Sequence, residues 1–159
     1  MVVTTGRGTV VAAAPGTALV TGAAVAIRTP ADYSVIAFGK EVVVAKSQDA
    51  RKPSEAVVND VLTLRGHGTT DVAGALQAAA IQLARSRAGL KIAVLLSDCR
   101  QTVDGDAVAA ATALEELVII APSGDDEEAR SLGARTGARI ATVGGPSDVP
   151  RAIAEVLDR

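Results

Sequence analysis

Apolar and polar positions divide the chain into short apolar runs separated by longer amphipathic segments. "YSVIAFG" at 33–39 is almost wholly apolar, and "EVVVAK" at 41–46 follows it across only Gly39-Lys40. A gap that short predicts an antiparallel hairpin, because a parallel connection needs a crossover of a dozen residues or so. Lys40, Glu41 and Lys46 would guard the edge so formed. "LKIAVLLS" at 90–97 is a near-continuous apolar run, the pattern of a central parallel strand covered on both faces. "LVIIAP" at 117–122 and "ARIATV" at 138–143 predict further strands, and "MVVTT" at 1–5 a short first one.

Helical spacing fills the intervals. "TALVTGAAVAIR" at 17–28 lies between Pro15-Gly16 and Pro30. Residues 52–64 carry Pro53 near the first turn and Val57, Val58, Val61, Leu62 and Leu64 on an apolar face. Residues 71–87 place Val72, Ala75, Leu76, Ala79 and Leu83 at helical intervals, and Gly89 ends that segment. "GDAVAAATALEE", "DDEEARSLGART" and "SDVPRAIAEVLD" predict three more helices, the second with acids in its first turn, where the helix dipole favours them. The resulting βαββααβαβαβα order predicts a doubly wound α/β fold. Its sheet is six-stranded and mostly parallel, with one antiparallel edge strand and helices on both faces.

Composition narrows the function classes. A length of 159 residues suits a single domain over 1–159. Tyr33 and Phe38 are the only aromatics, so platforms for stacking bases or sugars are not expected. The net charge of −2 and the lack of a basic run argue against nucleic acid as a partner. The longest weakly polar stretch, 17–27, is too short and too interrupted to insert in a membrane. No basic segment followed by an apolar one opens the chain, and Cys99 has no second cysteine to pair with, so a cytoplasmic location is expected.

In a doubly wound sheet, ligands bind outside the carboxyl ends of the strands. Asp98 follows strand 90–97 directly, and the loop Gly66-His67-Gly68-Thr69-Thr70 opens the helix that leads back to that strand. Thr70 and Asp98 are therefore expected at one rim. A carboxylate beside a hydroxyl suits a hard divalent cation such as Mg2+. The plainer reading is that Thr70 or Asp71 caps the helix and Asp98 accepts backbone N–H groups. "TTGRGTV" at 4–10 hints at a phosphate-cradling loop but carries only two glycines. His67, the sole histidine, reads as a loop residue. Cys99 reads as a small apolar filler, since the neighbouring carboxylate disfavours its thiolate. The acids at 125–128 read as a solvated helix start.

"YSVIAFGKEV", "GHGTTDVAGALQAA", "VLLSDCR" and "GPSDVPRAIAEVL" together resemble a von Willebrand factor A (VWA) domain of the bacterial intracellular branch, over almost the whole chain. The resemblance implies a Rossmann-like fold with a metal-ion-dependent adhesion site. That site takes an Asp-x-Ser-x-Ser loop after the first strand, a Thr after a Gly-rich loop, and an Asp after the fourth strand. Thr70 matches the Thr, with Thr69 as the alternative, and Asp98 matches the Asp. Cys99 stands where the family often has Gly. The first loop departs from the pattern. After "MVVTT" it offers Thr4, Thr5, Arg7 and Thr9, with no Asp before Asp32. The site is then incomplete or lost, Mg2+ binding is weak, and Arg7 lies near the metal's position. The resemblance implies a non-enzymatic protein-interaction module, an adaptor or co-chaperone for a MoxR-type AAA+ ATPase or chelatase-like complex. The alternative is a small nucleotide- or phosphate-binding enzyme using the Gly6–Gly8 loop and Asp98.

Overall fold

Near-continuous apolar runs become strands here because both faces of the sheet are covered. In the computed structural model, which describes residues 7–14, 32–64 and 68–158, six strands form one sheet. They are β1 (Arg7–Ala13), β2 (Tyr33–Phe38), β3 (Val42–Lys46), β4 (Leu90–Leu96), β5 (Glu116–Pro122) and β6 (Arg139–Val143), in the spatial order β3-β2-β1-β4-β5-β6. All neighbouring pairs are parallel except β2 and β3. The described helices are α1 (Ser54–Thr63), α2 (Val72–Ala84), α3 (Ala107–Thr112), α4 (Glu127–Thr136) and α5 (Val149–Leu157), with a short 3-10 turn at Pro146–Asp148. The mostly parallel sheet with one antiparallel edge is the expected architecture. The helix expected at 17–28, the strand at 1–5 and His67 lie outside the described residues.

The alternation along each strand sorts its side chains into two cores. Val10, Ala12, Ala93, Leu95 and Ile119 pack with Val72, Leu76, Ala79 and Leu83 of α2 and with Leu132 of α4. Val11, Ala13, Ile92, Val94, Leu96 and Ile120 pack with Val57 and Val61 of α1 and with Val149, Ile153 and Val156 of α5. Each fully buried Val, Leu or Ile side chain contributes roughly 1.5–3 kcal/mol.

Three expectations need correction. Among the described residues the first strand is Arg7–Ala13, so Arg7 to Val10 are strand rather than loop. Gly8 lies in β1 opposite Lys91, and Thr9 is fully buried opposite Tyr33 and Ile92. The apolar run Val10–Ala13 needed a central site, and its two alanines disguised it as a weak strand. Secondly, Phe38 faces Val42, so the hairpin turn is the three residues Gly39-Lys40-Glu41 rather than two, closed by Gly39 N–H donating to the Glu41 carbonyl at 3.0 Å. Thirdly, Lys46 does not guard the edge. The register shifts between Val35 and Ile36, which face Lys46 and Val44 respectively. The bulge turns Lys46 inward, to 3% exposure, where its amine donates to the Tyr33 carbonyl at 2.6 Å and lies 4.1 Å from the Tyr33 ring centre. In α1, Val57 and Val61 are buried but Leu62 is exposed, because a ten-residue helix buries a single i, i+4 stripe.

Candidate functional site at the carboxyl ends of the strands

β1 is the switch point of the sheet. Its two neighbours, β2 and β4, leave it in opposite directions, which opens a crevice at the carboxyl ends. A cleft of about 510 Å³ lies there. Its walls come from the ends of five strands: Ala14 after β1, Phe38 and Gly39 at β2, Leu96 to Asp98 at β4, Pro122 and Ser123 at β5, and Val143 to Gly145 at β6. Gly68, Thr69 and Thr70 close one side. Thr70 and Asp98 thus line the same cleft, although the chain separates them widely.

Backbone hydrogen bonds hold that loop in place. Asp71 N–H donates to the Gly39 carbonyl at 3.0 Å, tying the start of α2 to the end of β2. Thr70 N–H donates to Thr102 Oγ1 at 2.6 Å, and Thr102 N–H donates back to the Thr70 carbonyl at 3.0 Å. Ala73 N–H donates to Gln101 Oε1 at 3.0 Å. The segment after Asp98 therefore holds the segment carrying Thr70. Gln101 and Thr102 had no signal in the sequence, since their partners are distant backbone groups. Gly144-Gly145 was more legible, as a glycine pair after a strand in a fold whose sites lie at strand ends.

Asp71, rather than Thr70, is the helix cap: its Oδ1 accepts from Gly74 N–H at 2.8 Å. Asp98 Oδ1 accepts from Arg100 N–H at 3.0 Å, a local turn across Cys99. Cys99 has φ of 64°, the left-handed region that favours glycine. A glycine would adopt that backbone without the strain that a Cβ brings. The Cys99 thiol is buried, and burial, reinforced by the Asp98 charge, pushes its pKa up to about 12. It stays a thiol at neutral pH. The Arg100 guanidinium turns away from Asp98 to pair with Asp125 and, at 3.7 Å, with Glu128.

The position of β1 also relocates the first loop. Residues after the first strand now begin at Ala14, and Arg7 and Gly8 stand at the amino end of the sheet, opposite the cleft. Gly8 and Asp98 do not meet, and neither Arg7 nor Thr9 is at the rim. From Ala14 to Ala31 the sequence contains no Asp, Glu, Ser, Asn, Gln or His. Among the described residues, no three His, Cys, Asp or Glu side chains cluster so as to hold a metal ion. One carboxylate with a few Thr and Ser hydroxyls, the set that the described residues offer, does not fit a tightly held divalent ion, which takes six or more oxygens.

These features define a doubly wound α/β domain with a mostly apolar cleft at its switch point. Comparison with solved structures specifies the fold further. A von Willebrand factor type A protein from Catenulispora acidiphila superposes with a TM-score of 0.72 at 17% identity, over 96% of this chain and 42% of that one. The pilus adhesin SpaC from Lactobacillus rhamnosus GG, in its open conformation, gives 0.68 at 12%, over 96% and 30%. The mussel byssus proximal thread matrix protein 1, with a zinc-occupied MIDAS motif, gives 0.65 at 13%, over 96% and 48%. The chain has a VWA-like fold, and it spans less than half the length of each of these three proteins. No protein-family model matches the sequence, and no curated protein does. No helix among the described residues is long and apolar enough to cross a membrane.

Proposed function

We propose that this chain is a non-enzymatic protein-interaction module of the cytoplasm that docks a partner in the cleft at the carboxyl ends of its strands. The observation that carries the reading is the composition of that cleft. Phe38, Leu96, Ile120, Val143 and Val149 supply apolar walls, glycines admit close backbone approach, and a single carboxylate gives direction. This suits contact and orientation better than bond breaking, since the one nearby thiol is held protonated. The similarity in fold to an adhesin supports the same reading. The finer proposal is an adaptor for an AAA+ ATPase of MoxR or chelatase type. Thr70 and Asp98 would give a divalent ion only weak, vestigial support there.

The test is capture of partners from the native host on immobilised chain, with Ser123→Trp as control. Ser123 is exposed on the cleft wall, so an indole there would occupy part of the cleft from its rim. Partners that bind the native chain should be lost from the variant, and an ATPase should be among them. Equal capture by both chains moves docking elsewhere on the surface.

A further inference from the structure

Among the described residues, the charge in the cleft has no counterion. Asp98 is the only ionisable side chain among the described residues of its walls. Among the described residues its carboxylate accepts one hydrogen bond, from a backbone N–H, and pairs with no Lys or Arg. The guanidinium of Arg100, two residues on, is engaged by two acids outside the cleft. A half-buried carboxylate beside apolar walls loses part of its hydration and gains from any cation that reaches it. A divalent ion would find one carboxylate and hydroxyls, too few ligands to replace its waters. A cation carried on an apolar stem fits better. Its methylenes would lie along Leu96, Ile120 and Val143, and its head would reach Asp98 with the Ser97 and Thr70 side chains close by on the same walls.

We propose that the cleft receives a basic side chain, arginine or lysine, from a protein partner, with Asp98 as its direct counterion. This rests on the docking reading and adds a polarity to it. A complete metal site presents a cation and would select a partner's acid; a bare Asp98 selects a base. The charge complementarity comes entirely from this chain's residues. Residues 1–31 contain no acid, and no second carboxylate lines the described walls.

The experiment is a titration of the whole chain, followed by amide chemical shifts, with blocked tripeptides that differ only in the central residue. Acetyl-Gly-Arg-Gly-amide and its lysine counterpart should shift the amides of Ser97, Asp98, Gly144 and Gly145, with saturation in the millimolar range. The glutamate and norleucine tripeptides should not, with or without magnesium. Asp98→Asn keeps the oxygen that accepts from Arg100 N–H and so preserves the turn. It should weaken the arginine probe by about tenfold or more, as loss of a charged partner does. Equal shifts in Asp98→Asn, or binding of the glutamate probe in the presence of magnesium, overturn the proposal. So does saturation of the same amides by rising protein concentration alone, which would give the cleft to a second copy of the chain. If every probe fails while Ser123→Trp still abolishes partner capture, the basic occupant is wrong and docking stands. If Ser123→Trp has no effect on capture while the arginine probe binds through Asp98, docking is misplaced and the cationic subsite stands.

Discussion

Gly8 offers a sharp test of whether the glycines near the amino terminus serve packing or a ligand. A methyl group built at Gly8 sits 2.3 Å from Ser86 Oγ and 2.8 Å from Ser86 Cβ. Comfortable carbon contacts lie at about 3.5–4.0 Å, so one of the two must move by an ångström or so. Ser86 is not free to move. Its hydroxyl donates to Asp32 Oδ2 at 2.6 Å and accepts from Ala88 N–H at 3.1 Å, in a side chain that is 7% exposed. Rotating it away loses two hydrogen bonds, about 0.5–1.5 kcal/mol each. Overpacking a central strand adds roughly 1–3 kcal/mol. Gly8→Ala should therefore destabilise by about 2–6 kcal/mol, roughly 4–24 °C in the thermal midpoint for a chain of this size. Ser86→Gly removes the obstacle. The double variant should then be more stable than the sum of the single effects by at least about 1 kcal/mol. Urea unfolding of the four proteins with a common m-value measures this directly. A Gly8→Ala protein within about 0.5 kcal/mol of the native chain, or strictly additive variants, would refute the packing argument. The glycine would then need another explanation, including the phosphate loop that its place in β1 argues against.

Other outcomes follow from the same structure. Burial lowers the Lys46 pKa, and Asp32 and Asp49 offset this only in part. Between that lowered value and the ordinary 10.5 the unfolded chain binds more protons, so stability should rise with pH across this window and then level off. Lys46→Met should lose that rise relative to the native chain, as urea midpoints through the alkaline range would show; parallel curves for the two proteins would contradict it. The Cys99 thiol, with its pKa near 12, should react with iodoacetamide at pH 8 only as fast as the chain opens. Labelling in native buffer at the rate of a free thiol would count against its burial. Magnesium at a concentration equal to a millimolar Kd should stabilise by only about 0.4 kcal/mol, one or two degrees. Micromolar binding by calorimetry that is lost in Asp98→Asn would show a metal site far better formed than Thr70 and Asp98 can make it.

What was legible in the sequence depended on how far each signal reached. Strand β4 and the β2–β3 hairpin were visible because a strand buried on both faces must be apolar at every position, and a three-residue gap permits only an antiparallel return. Strand β1 was not legible because Val10-Val11-Ala12-Ala13 is a weaker β signal than the β-branched run at 2–5. Alanine has low strand propensity, yet Ala12 and Ala13 are fully covered, and small side chains suit a central strand with helices packed on both sides. The position of β1 changed the site more than the fold. It moved the first loop to Ala14, took Arg7 and Gly8 to the opposite end of the sheet, and left Asp98 as the one charge among the described residues of the cleft. Asp98 itself could be found from sequence, because it follows an unmistakable strand in a fold whose binding edge is known. Its isolation could not, since that depends on Arg100 turning toward Asp125 and Glu128, two acids on a different loop and helix. The same sequence run that places the acid, "SDCR", also supplies the base that does not neutralise it. That separation gives the described walls of the cleft a single uncompensated sign.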